Sequence, residues 1–354
     1  MSGYSAITGW GMYVPEKVLT NADFERMVDT SDEWITSRTG IKQRHVVGEG
    51  ESASTLAVAA ARQALERAGL EAKDLSLIIV AAVSGDYLFP STANLVQHAL
   101  GAECGAFDMQ AACTGFLYGL ATAHQFVISG AARHVLVIGV EVLSRYVDYT
   151  DRSTCVLFGD GAGAVILSAS DEPGGVLSFT LGSDGASPER LWIPVGGSAE
   201  PVTEEAIRAR RHLIKMQGNE VFRFATRIMG TAMEEALAKA GMTAADMDLF
   251  IPHQANLRII EAASKRLSLP PEKVFVNIAN YGNTSAAAVP IALCEAIDQG
   301  RVYPGAHLGM VAFGAGLTWA AAVVKWTAPV PTVKRTIKAS KDAARDPQLQ
   351  SAEV

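Results

Sequence analysis

Apolar runs and segments of helical periodicity alternate along the first half of the chain. In residues 54–69, apolar side chains recur every three or four positions, which predicts a helix that ends at Gly69. Residues 75–83 are almost all apolar, as expected for a strand that is buried on both faces. The same criteria predict helices at residues 94–100 and 114–129, and strands at residues 106–109, 134–140 and 163–169.

The second half has the same character. Its pattern predicts helices at residues 219–241, 257–267 and 285–297, and strands at residues 247–251, 273–276, 308–313 and 317–324. In each half a strand leads to a polar or reactive residue that opens a helix of small residues, at 108–115 and at 278–288. We therefore expect an α/β protein built from two related halves, residues 1–172 and 173–326. Residues 327–354 contain few large apolar side chains and are predicted to form a flexible tail.

The composition indicates a globular protein with a packed core. Hydrophobic residues make up 49% of the 354 residues and charged residues 19%, a balance that excludes a disordered chain. The length corresponds to about two domains. The four cysteines, at positions 104, 113, 155 and 294, are too few for a disulfide scaffold and lack the spacing of a zinc site. The N-terminus has no signal-peptide pattern, so we expect a cytoplasmic protein.

The charge balance narrows the choice of partners. With 30 basic and 37 acidic residues the net charge is −7, so the chain has no overall attraction to nucleic acid or to an anionic membrane. No stretch reaches about 18 uninterrupted apolar residues, so no transmembrane helix is expected. The sequence therefore predicts a soluble enzyme without a nucleic-acid or membrane partner.

Cys113 is the candidate nucleophile among the four cysteines. A predicted strand precedes it and a helix of small residues follows it, which places its sulfur at a helix N-terminus. The helix dipole there is expected to favour the thiolate over the thiol. The other three cysteines are expected to be small buried side chains.

Two further polar residues follow a strand or open a helix, and both are candidates for hydrogen bonding to a reacting group. His253 comes directly after the predicted strand 247–251, and Asn283 lies where a turn opens the helix 285–297. A lone histidine after a strand and a cluster of asparagine and glycine also fit a structural role. If both side chains point to the same place, they form an oxyanion site. The glycine-rich segments 159–163 and 313–316 are followed by strand-like sequence, which argues against a dinucleotide site.

Three segments together, AACTG (111–115), PHQAN (252–256) and NYGNTS (280–285), resemble β-ketoacyl-acyl carrier protein synthase III, the condensing enzyme that initiates type II fatty acid synthesis. Four more segments fit the same family: DEWI (32–35), RTGI (38–41), FGDGAG (158–163) and GNEVF (218–222). The spacing also fits, with about 140 residues from the cysteine to the histidine and about 30 from there to the asparagine. The resemblance extends from residue 7 to residue 326.

The resemblance implies a thiolase-like fold, with five layers (α-β-α-β-α) formed by two related halves, and a homodimer. It makes Cys113 the acyl-accepting nucleophile, with His253 and Asn283 completing the catalytic triad and Ala315 in the oxyanion turn. The residues implied at the coenzyme A entrance are Trp34, Arg38, Arg152, Gly218, Phe222 and Asn256. Of these, an aromatic ring and a guanidinium, Trp34 and Arg152, are suited to stack on adenine.

The implied reaction starts with acyl transfer from a short acyl-CoA primer to the cysteine. The acyl-enzyme then condenses with malonyl-acyl carrier protein as carbon dioxide leaves, and the resemblance calls for no metal and no redox cofactor. The acyl pocket is expected to be apolar, although the same residues would fit a protein core equally well; they are Phe89 (reaching across the dimer), Leu143, Phe158, Ile214, Met216 and Phe313.

A basic cluster on the helix after His253 is the candidate docking site for the carrier protein. It consists of Arg258, Lys265 and Arg266, and the first two are seven residues apart and so share a face. A solvated helix face would look the same. Because the carrier protein is usually acidic, a basic patch near the entrance would attract it.

Three alternatives differ from this hypothesis in the chemistry they require. A condensing enzyme or acyltransferase of secondary metabolism, such as a polyketide or quinolone priming enzyme, would keep Cys113, but simple transfer has less need of His253 and Asn283. A non-catalytic partner subunit typically lacks the nucleophile. An enzyme like 3-hydroxy-3-methylglutaryl-CoA synthase needs a carboxylate near the cysteine, and Asp86 is the nearest candidate by position, although its flanking sequence does not match.

Overall fold

The structure, a computed structural model, describes residues 3–330. Its strands are β1 (Tyr4–Tyr13), β2 (Val18–Thr20), β3 (Gln43–His45), β4 (Leu77–Ala81), β5 (Gly105–Met109), β6 (His134–Val142), β7 (Asp160–Ser170), β8 (Gly175–Ser183), β9 (Leu191–Trp192), β10 (Lys215–Met216), β11 (Leu249–Pro252), β12 (His307–Gly314) and β13 (Thr318–Lys325). Its α-helices are α1 (Asn21–Glu25), α2 (Asp32–Thr39), α3 (Ala53–Ala68), α4 (Thr92–Leu100), α5 (Gly115–Ile128), α6 (Glu204–Arg208), α7 (Gly218–Lys239), α8 (Leu257–Arg266), α9 (Ile278–Tyr281) and α10 (Ala288–Asp298). Short 3₁₀ turns span Ala72–Asp74, Ala112–Thr114, Leu143–Arg145, Pro188–Arg190, Ala244–Asp246, Pro271–Lys273 and Ser285–Ala287.

Nine strands form one sheet in the order β11-β12-β13-β8-β1-β7-β6-β4-β5. The two halves of this sheet are joined by a single parallel pair, Ser5 with Gly175. Each half repeats one pattern, because β4 and β6 are parallel, as are β11 and β12, and antiparallel strands follow in both cases. The expected boundary between residues 172 and 173 falls in the connection from β7 to β8.

Helices pack on the sheet in three layers. Helix α3 covers one face of the first half through small side chains such as Ala60 and Ala64. Helices α5 and α10 lie between the two halves and contribute Phe116, Leu120 and Leu293 to a shared core. Helices α7 and α8 cover the outer face of the second half. With the two halves of the sheet, these helices give the five-layered arrangement that the resemblance implies.

Two glycines explain why the apolar pattern did not predict the long first strand, β1. A Cβ atom at Gly9 would lie 2.1 Å from the Ala64 carbonyl oxygen, and one at Gly11 would lie 2.2 Å from that of Ala60. Strand β1 therefore needs glycine where α3 crosses it, and this need interrupts the apolar pattern that would predict the strand.

Most predicted elements are present, with shifts of a few residues at their ends. The strand expected at residues 273–276 is wrong, because the chain there forms the 3₁₀ turn Pro271–Lys273 and one isolated bridge between Val274 and Phe250. Beyond this bridge, the N–H groups of Asn277 and Ile278 donate to the Gln254 side chain and not to a neighbouring strand. Strands β1 and β8 were not predicted.

The start of the predicted tail packs on the protein. Trp326 donates a hydrogen bond from its indole N–H to the Ala328 carbonyl oxygen over 2.8 Å, and both residues are buried. The remainder of the predicted tail, residues 331–354, lies outside the described residues. Within the part of the chain that is described, no helix has the length and apolar character needed to cross a membrane.

Candidate active site

Cys113 lies in a 3₁₀ turn between the end of β5 and the start of α5. The turn places Ala112 in the left-handed region (φ +47°) and leaves the Cys113 side chain 7% exposed. Gly314, at the end of β12, lies against this turn, because a Cβ atom there would be 2.7 Å from the Cys113 backbone nitrogen. The first half of the chain therefore supplies the thiol, and a glycine of the second half allows the close approach.

The expectation of a readily formed thiolate at Cys113 is wrong, because the thiol is buried. Burial raises the pKa of the Cys113 thiol to about 12; a hydrogen bond with Ser285 lowers it and the neighbouring Glu141 carboxylate raises it further. The helix dipole favours the thiolate at this N-terminus, but burial removes the solvation of the charged form and has the larger effect. The thiol is therefore protonated at neutral pH.

His253 directly follows β11, and its backbone N–H donates to the Val311 carbonyl oxygen over 2.7 Å. Its ring packs edge-on against Phe313, with the ring centres 5.5 Å apart. Both ring nitrogens are buried and have no hydrogen-bond partner among residues 3–330. Burial lowers the pKa of His253 to about 3, so the imidazole is neutral and has one N–H to donate.

Asn283 is held by its backbone on both sides. Its N–H donates to the Leu157 carbonyl oxygen, and its own carbonyl oxygen accepts from the Gly159 N–H. Its side-chain oxygen accepts a hydrogen bond from the Ser285 N–H over 2.9 Å. Since the oxygen end of the amide is engaged, the Nδ2 end is the one left to donate to a substrate.

The backbone contacts bring these three side chains into one region. His253 packs on Phe313, the residue before the Gly314 that lies against Cys113. Asn283 is two residues from Ser285, which lines one cavity together with Cys113. A thiol, a neutral imidazole and an amide thus converge from β5, β11 and the segment before α10.

A buried carboxylate, Glu141, is the acidic group beside the cysteine. It lies at the end of β6, directly after the predicted strand 134–140, and its position after an apolar run was the available signal. Asp86, the candidate considered from sequence, instead accepts hydrogen bonds from the hydroxyls of Ser52 and Ser54 and from the Ser54 N–H. Asp86 therefore stabilises the start of α3, as a cap does.

A cavity of about 790 Å³ opens next to the thiol. Three of the six predicted acyl-pocket residues line it, namely Leu143, Phe158 and Ile214, together with Cys113 and Ala315. The other three, Phe89, Met216 and Phe313, are not among its lining residues. Lining residues that were not predicted include Val83, Leu88, Tyr146, Leu191, Trp192, Val195 and His212.

The turn that was predicted to form the oxyanion site accommodates alanine at position 315. The left-handed backbone is at the next residue, Gly316 (φ +136°), and the Ala315 carbonyl oxygen accepts from the Thr318 hydroxyl over 3.1 Å. Because the turn does not demand glycine at 315, its backbone can lie beside the thiol with a side chain in place.

Comparison with known proteins identifies the family. Residues 107–185 match the family model described as 3-oxoacyl-[acyl-carrier-protein (ACP)] synthase III, and residues 237–326 match the model of its C-terminal part. The β-ketoacyl-[acyl-carrier-protein] synthase III of Roseiflexus sp. strain RS-1 is 52% identical over 329 residues, which cover 93% of this chain and 100% of that protein. The chain belongs to the β-ketoacyl-acyl carrier protein synthase III family.

Solved structures support the same family assignment. The 3-oxoacyl-[acyl-carrier-protein] synthase III of Aquifex aeolicus VF5 is 47% identical, with a TM-score of 0.84, over 91% of this chain and 100% of that one. A priming β-ketosynthase from the R1128 polyketide biosynthetic pathway is 36% identical, with a TM-score of 0.86, over 92% and 97% of the two chains. The predictions of a synthase III family member, a thiolase-like fold and a condensing acyltransferase are confirmed.

In this synthase III family member, the residues predicted for the entrance form two neighbouring groups. The guanidinium carbons of Arg38 and Arg152 lie 5.0 Å and 5.1 Å from the centre of the Trp34 ring. Arg258 lies over Phe222 at 4.9 Å. The Asn256 amide joins the groups by donating to the Arg38 carbonyl oxygen over 2.9 Å. Gly218, the sixth predicted residue, is the exposed first residue of α7.

The three basic residues predicted for docking differ in their surroundings. Arg258 and Lys265 are exposed on α8. Arg266 forms a two-pronged ion pair with Glu234 of α7, with N···O distances of 3.0 and 2.8 Å. This pairing offsets the charge of Arg266, so Arg258 and Lys265 are the better candidates for contact with an acidic partner.

Gln254 supports the synthase III site and was not assigned a role from sequence. Its side-chain oxygen accepts hydrogen bonds from the N–H groups of Asn277 and Ile278. Its side-chain nitrogen, Nε2, donates to the carbonyl oxygens of Pro252 and Phe275. This buried amide links the segment that carries His253 to the one that leads to Asn283. Its presence in the PHQAN segment was the only signal in the sequence.

Proposed function

We propose that this protein catalyses the decarboxylative condensation of an acyl-CoA primer with malonyl-acyl carrier protein and so initiates type II fatty acid synthesis. The observation that carries the proposal is a buried thiol at a cavity of about 790 Å³. His253 packs on Phe313, next to the glycine that lies against Cys113, and Asn283 is two residues from Ser285, which lines the same cavity. The products are a 3-ketoacyl-acyl carrier protein, free CoA and carbon dioxide.

The first half-reaction forms the acyl-enzyme. The Cys113 sulfur adds to the thioester carbonyl of acyl-CoA, the bond from carbon to the CoA sulfur breaks, and the proton of the cysteine thiol ends on the CoA sulfur, so that CoA leaves as the thiol. The backbone N–H groups of Cys113 and Ala315 are suited to stabilise the tetrahedral oxyanion, because Ala315 lines the same cavity as the thiol. Because the free thiol has a pKa of about 12, its deprotonation accompanies the attack instead of preceding it.

The second half-reaction uses the two neutral donors. His253 and Asn283 donate hydrogen bonds to the malonyl thioester oxygen and stabilise the enolate that forms as carbon dioxide departs. The enolate carbon attacks the acyl group on Cys113, and the cysteine sulfur leaves and regains a proton. Each such donor contributes about a hundred- to a thousandfold in rate. These steps use side chains of this chain alone and call for no metal or redox cofactor.

Substrate binding is proposed to use the two groups at the entrance. Trp34 and Arg152 suit an adenine ring, because an aromatic face and a guanidinium both stack on it. At 5.1 Å from the ring centre, the Arg152 guanidinium has to move away from Trp34 for a base to enter between them. The exposed Arg258 and Lys265 suit an acidic carrier protein.

We further propose a cytoplasmic homodimer in which each chain has two related halves and one site between them. Strand β5 is an edge of the nine-stranded sheet and can pair with the same strand of a second copy. The neighbouring side chains Tyr87, Leu88 and Phe89 are 65%, 91% and 84% exposed, an apolar surface that a second copy would cover.

A polyketide priming function is the second candidate. The 36% identity to the R1128 priming β-ketosynthase supports it, although the chain is more similar to the synthase III proteins named above. Both functions use the same half-reactions and differ in the primer and in the carrier protein that accepts the product.

A primer panel tests both functions. Purified protein is incubated with radiolabelled acetyl-, isobutyryl- or octanoyl-CoA and with malonyl-carrier protein from fatty acid synthesis or from a polyketide pathway, and 3-ketoacyl product and carbon dioxide are measured. We expect product with the fatty acid carrier protein. Carbon dioxide with the polyketide carrier protein alone would favour the second candidate, and none with any combination would refute both.

A further inference from the structure

A buried carboxylate lies behind the segment that carries Asn283. The Glu141 side chain is 0% exposed. One of its oxygens accepts from the Ser285 hydroxyl over 3.0 Å, and the other accepts from the Ser84 N–H over 3.1 Å and from the Ser84 hydroxyl. The Val83 N–H points between the two oxygens, at 3.3 and 3.2 Å. Glu141 thus joins the ends of β4 and β6 to the segment before α10.

Ser285 connects this carboxylate to Asn283. Its hydroxyl donates to Glu141, and its backbone N–H donates to the Asn283 side-chain oxygen over 2.9 Å. Ser285 adopts a left-handed backbone (φ +49°), which is uncommon for a residue with a side chain and needs support from its surroundings. The hydrogen bond to the fixed carboxylate supplies that support.

We infer that Glu141, acting through Ser285, is a positioning residue that holds the Asn283 amide with its Nδ2 end toward the malonyl thioester oxygen. This inference rests on the proposed function, because it concerns the decarboxylation step. If the side-chain amide could rotate by about 180°, its oxygen would face the developing enolate, and an acceptor would take the place of the donor. Fixing the amide before the reaction therefore favours the transition state.

Direct participation of Glu141 in the chemistry fits the structure less well. The side chain has no exposed surface toward the cavity, and five hydrogen bonds from Ser285, Val83 and Ser84 surround its two oxygens. Burial raises the pKa of Glu141 to about 7, whereas that of Cys113 is about 12. The thiol is thus the weaker acid, so proton transfer from it to this carboxylate is unfavourable, which leaves positioning as the role.

The test separates the two half-reactions in the full-length protein. Acylation of Cys113 is followed by intact mass after mixing with the primer that the wild type accepts, and decarboxylation by labelled carbon dioxide from malonyl-carrier protein. For Glu141→Gln we expect acylation within about threefold of the wild type. We expect kcat for carbon dioxide release to fall about ten- to a hundredfold with little change in KM, because the donor is misplaced and not the binding surface.

A double-mutant cycle tests whether Glu141 affects carbon dioxide release by way of Asn283. Asn283→Ala removes the amide, so Glu141→Gln added to it should change carbon dioxide release by less than about twofold, since residues that act as a unit are not additive. Effects that multiply would overturn the inference. An equal loss in both half-reactions of Glu141→Gln alone would also overturn it.

Asp160 provides a matched control for the loss of a buried carboxylate. It accepts hydrogen bonds from the Ser144 N–H and hydroxyl and from the Val47 N–H, and it has no hydrogen bond to the Asn283 segment. Asp160→Asn should change both half-reactions by the same factor. If Glu141→Gln does not fold, as judged by circular dichroism, Ser84→Ala, which removes a hydroxyl that donates to Glu141, takes its place in the same comparison. A wild type that releases no carbon dioxide would refute the proposed function and not this inference alone.

Discussion

At the scale of single residues, burial sets the charge of the reacting groups. Desolvation raises the pKa of Cys113 to about 12 and lowers that of His253 to about 3, so both are neutral near pH 7. Asn283 carries no charge. In the proposed reaction the donors are therefore uncharged, and the negative charge that they would stabilise arises only during the reaction.

The pKa of Cys113 leads to a prediction for its reactivity without substrate. Only the thiolate alkylates, and at pH values well below 12 its fraction rises about tenfold for each unit of pH. The rate of modification by iodoacetamide should therefore keep rising from pH 7 to pH 10, as measured by peptide mass spectrometry. The partly exposed Cys104 in the same digest is the internal reference. A plateau for Cys113 below pH 8 would contradict the assignment.

Replacement of His253 should separate the half-reactions. His253→Ala removes a donor to the malonyl oxygen, so carbon dioxide release should fall about a hundred- to a thousandfold while Cys113 still accepts the acyl group. Since the pKa of His253 is about 3, the imidazole is protonated only in strong acid. His253 should therefore contribute no acid limb centred near pH 6.5, and any limb that wild-type carbon dioxide release shows there should persist in His253→Ala. A limb there that disappears in the variant would show that the histidine acts as a charged group.

At the scale of elements, the turn after β12 and the turn after β5 depend on each other. Gly314 approaches the backbone of Cys113 so closely that a methyl group at 314 has no room. Glycine is thus needed at this position for packing between the two halves of the molecule, and not for a nucleotide.

Gly314→Ala should disturb the thiol more than the fold. A Cβ atom there lies 2.7 Å from the Cys113 nitrogen and 3.2 Å from its Cβ, so the turn has to shift, and acylation should fall by about a hundredfold. Labelling of the enzyme by radioactive acyl-CoA measures the loss. The control is Gly185→Ala, because position 185 has no atom within 4 Å of the added methyl group. Equal labelling of the two variants would refute the proposed contact.

The elements that sequence predicts well are those buried on both sides. The apolar runs that became β4, β6 and β13 have no polar face, so period and composition both identify them. Strand β1 was missed because close packing on α3 requires glycines that interrupt its pattern. In the site, Cys113, His253 and Asn283 stand out because each follows a strand or opens a helix. The roles of Glu141 and Ser285 depend on contacts between residues 144 positions apart, which no local pattern records.

At the scale of the whole molecule, the two halves share one site. Cys113 follows a strand of the first half, whereas His253 and Asn283 come from the second, and helices α5 and α10 form the core between them. Neither half holds a complete set of reacting groups. The length of the chain suggests about two domains, but the two halves therefore act as a single unit.

The proposed dimer can be tested at the apolar surface that follows β4. The segment after β4 carries Leu88 and Phe89, which are 91% and 84% exposed, and Leu88 also lines the cavity beside Cys113. Because these apolar side chains lie next to the open edge of β5, we expect a second copy of the chain to cover them. The double variant Leu88→Asp with Phe89→Asp should sediment as a monomer and lose acyl transfer, because the cavity wall is then incomplete. Met27→Asp, which adds a charge at a 47% exposed methionine elsewhere, should sediment like the wild type. A wild type that sediments as a monomer at micromolar concentration would rule out the proposed dimer.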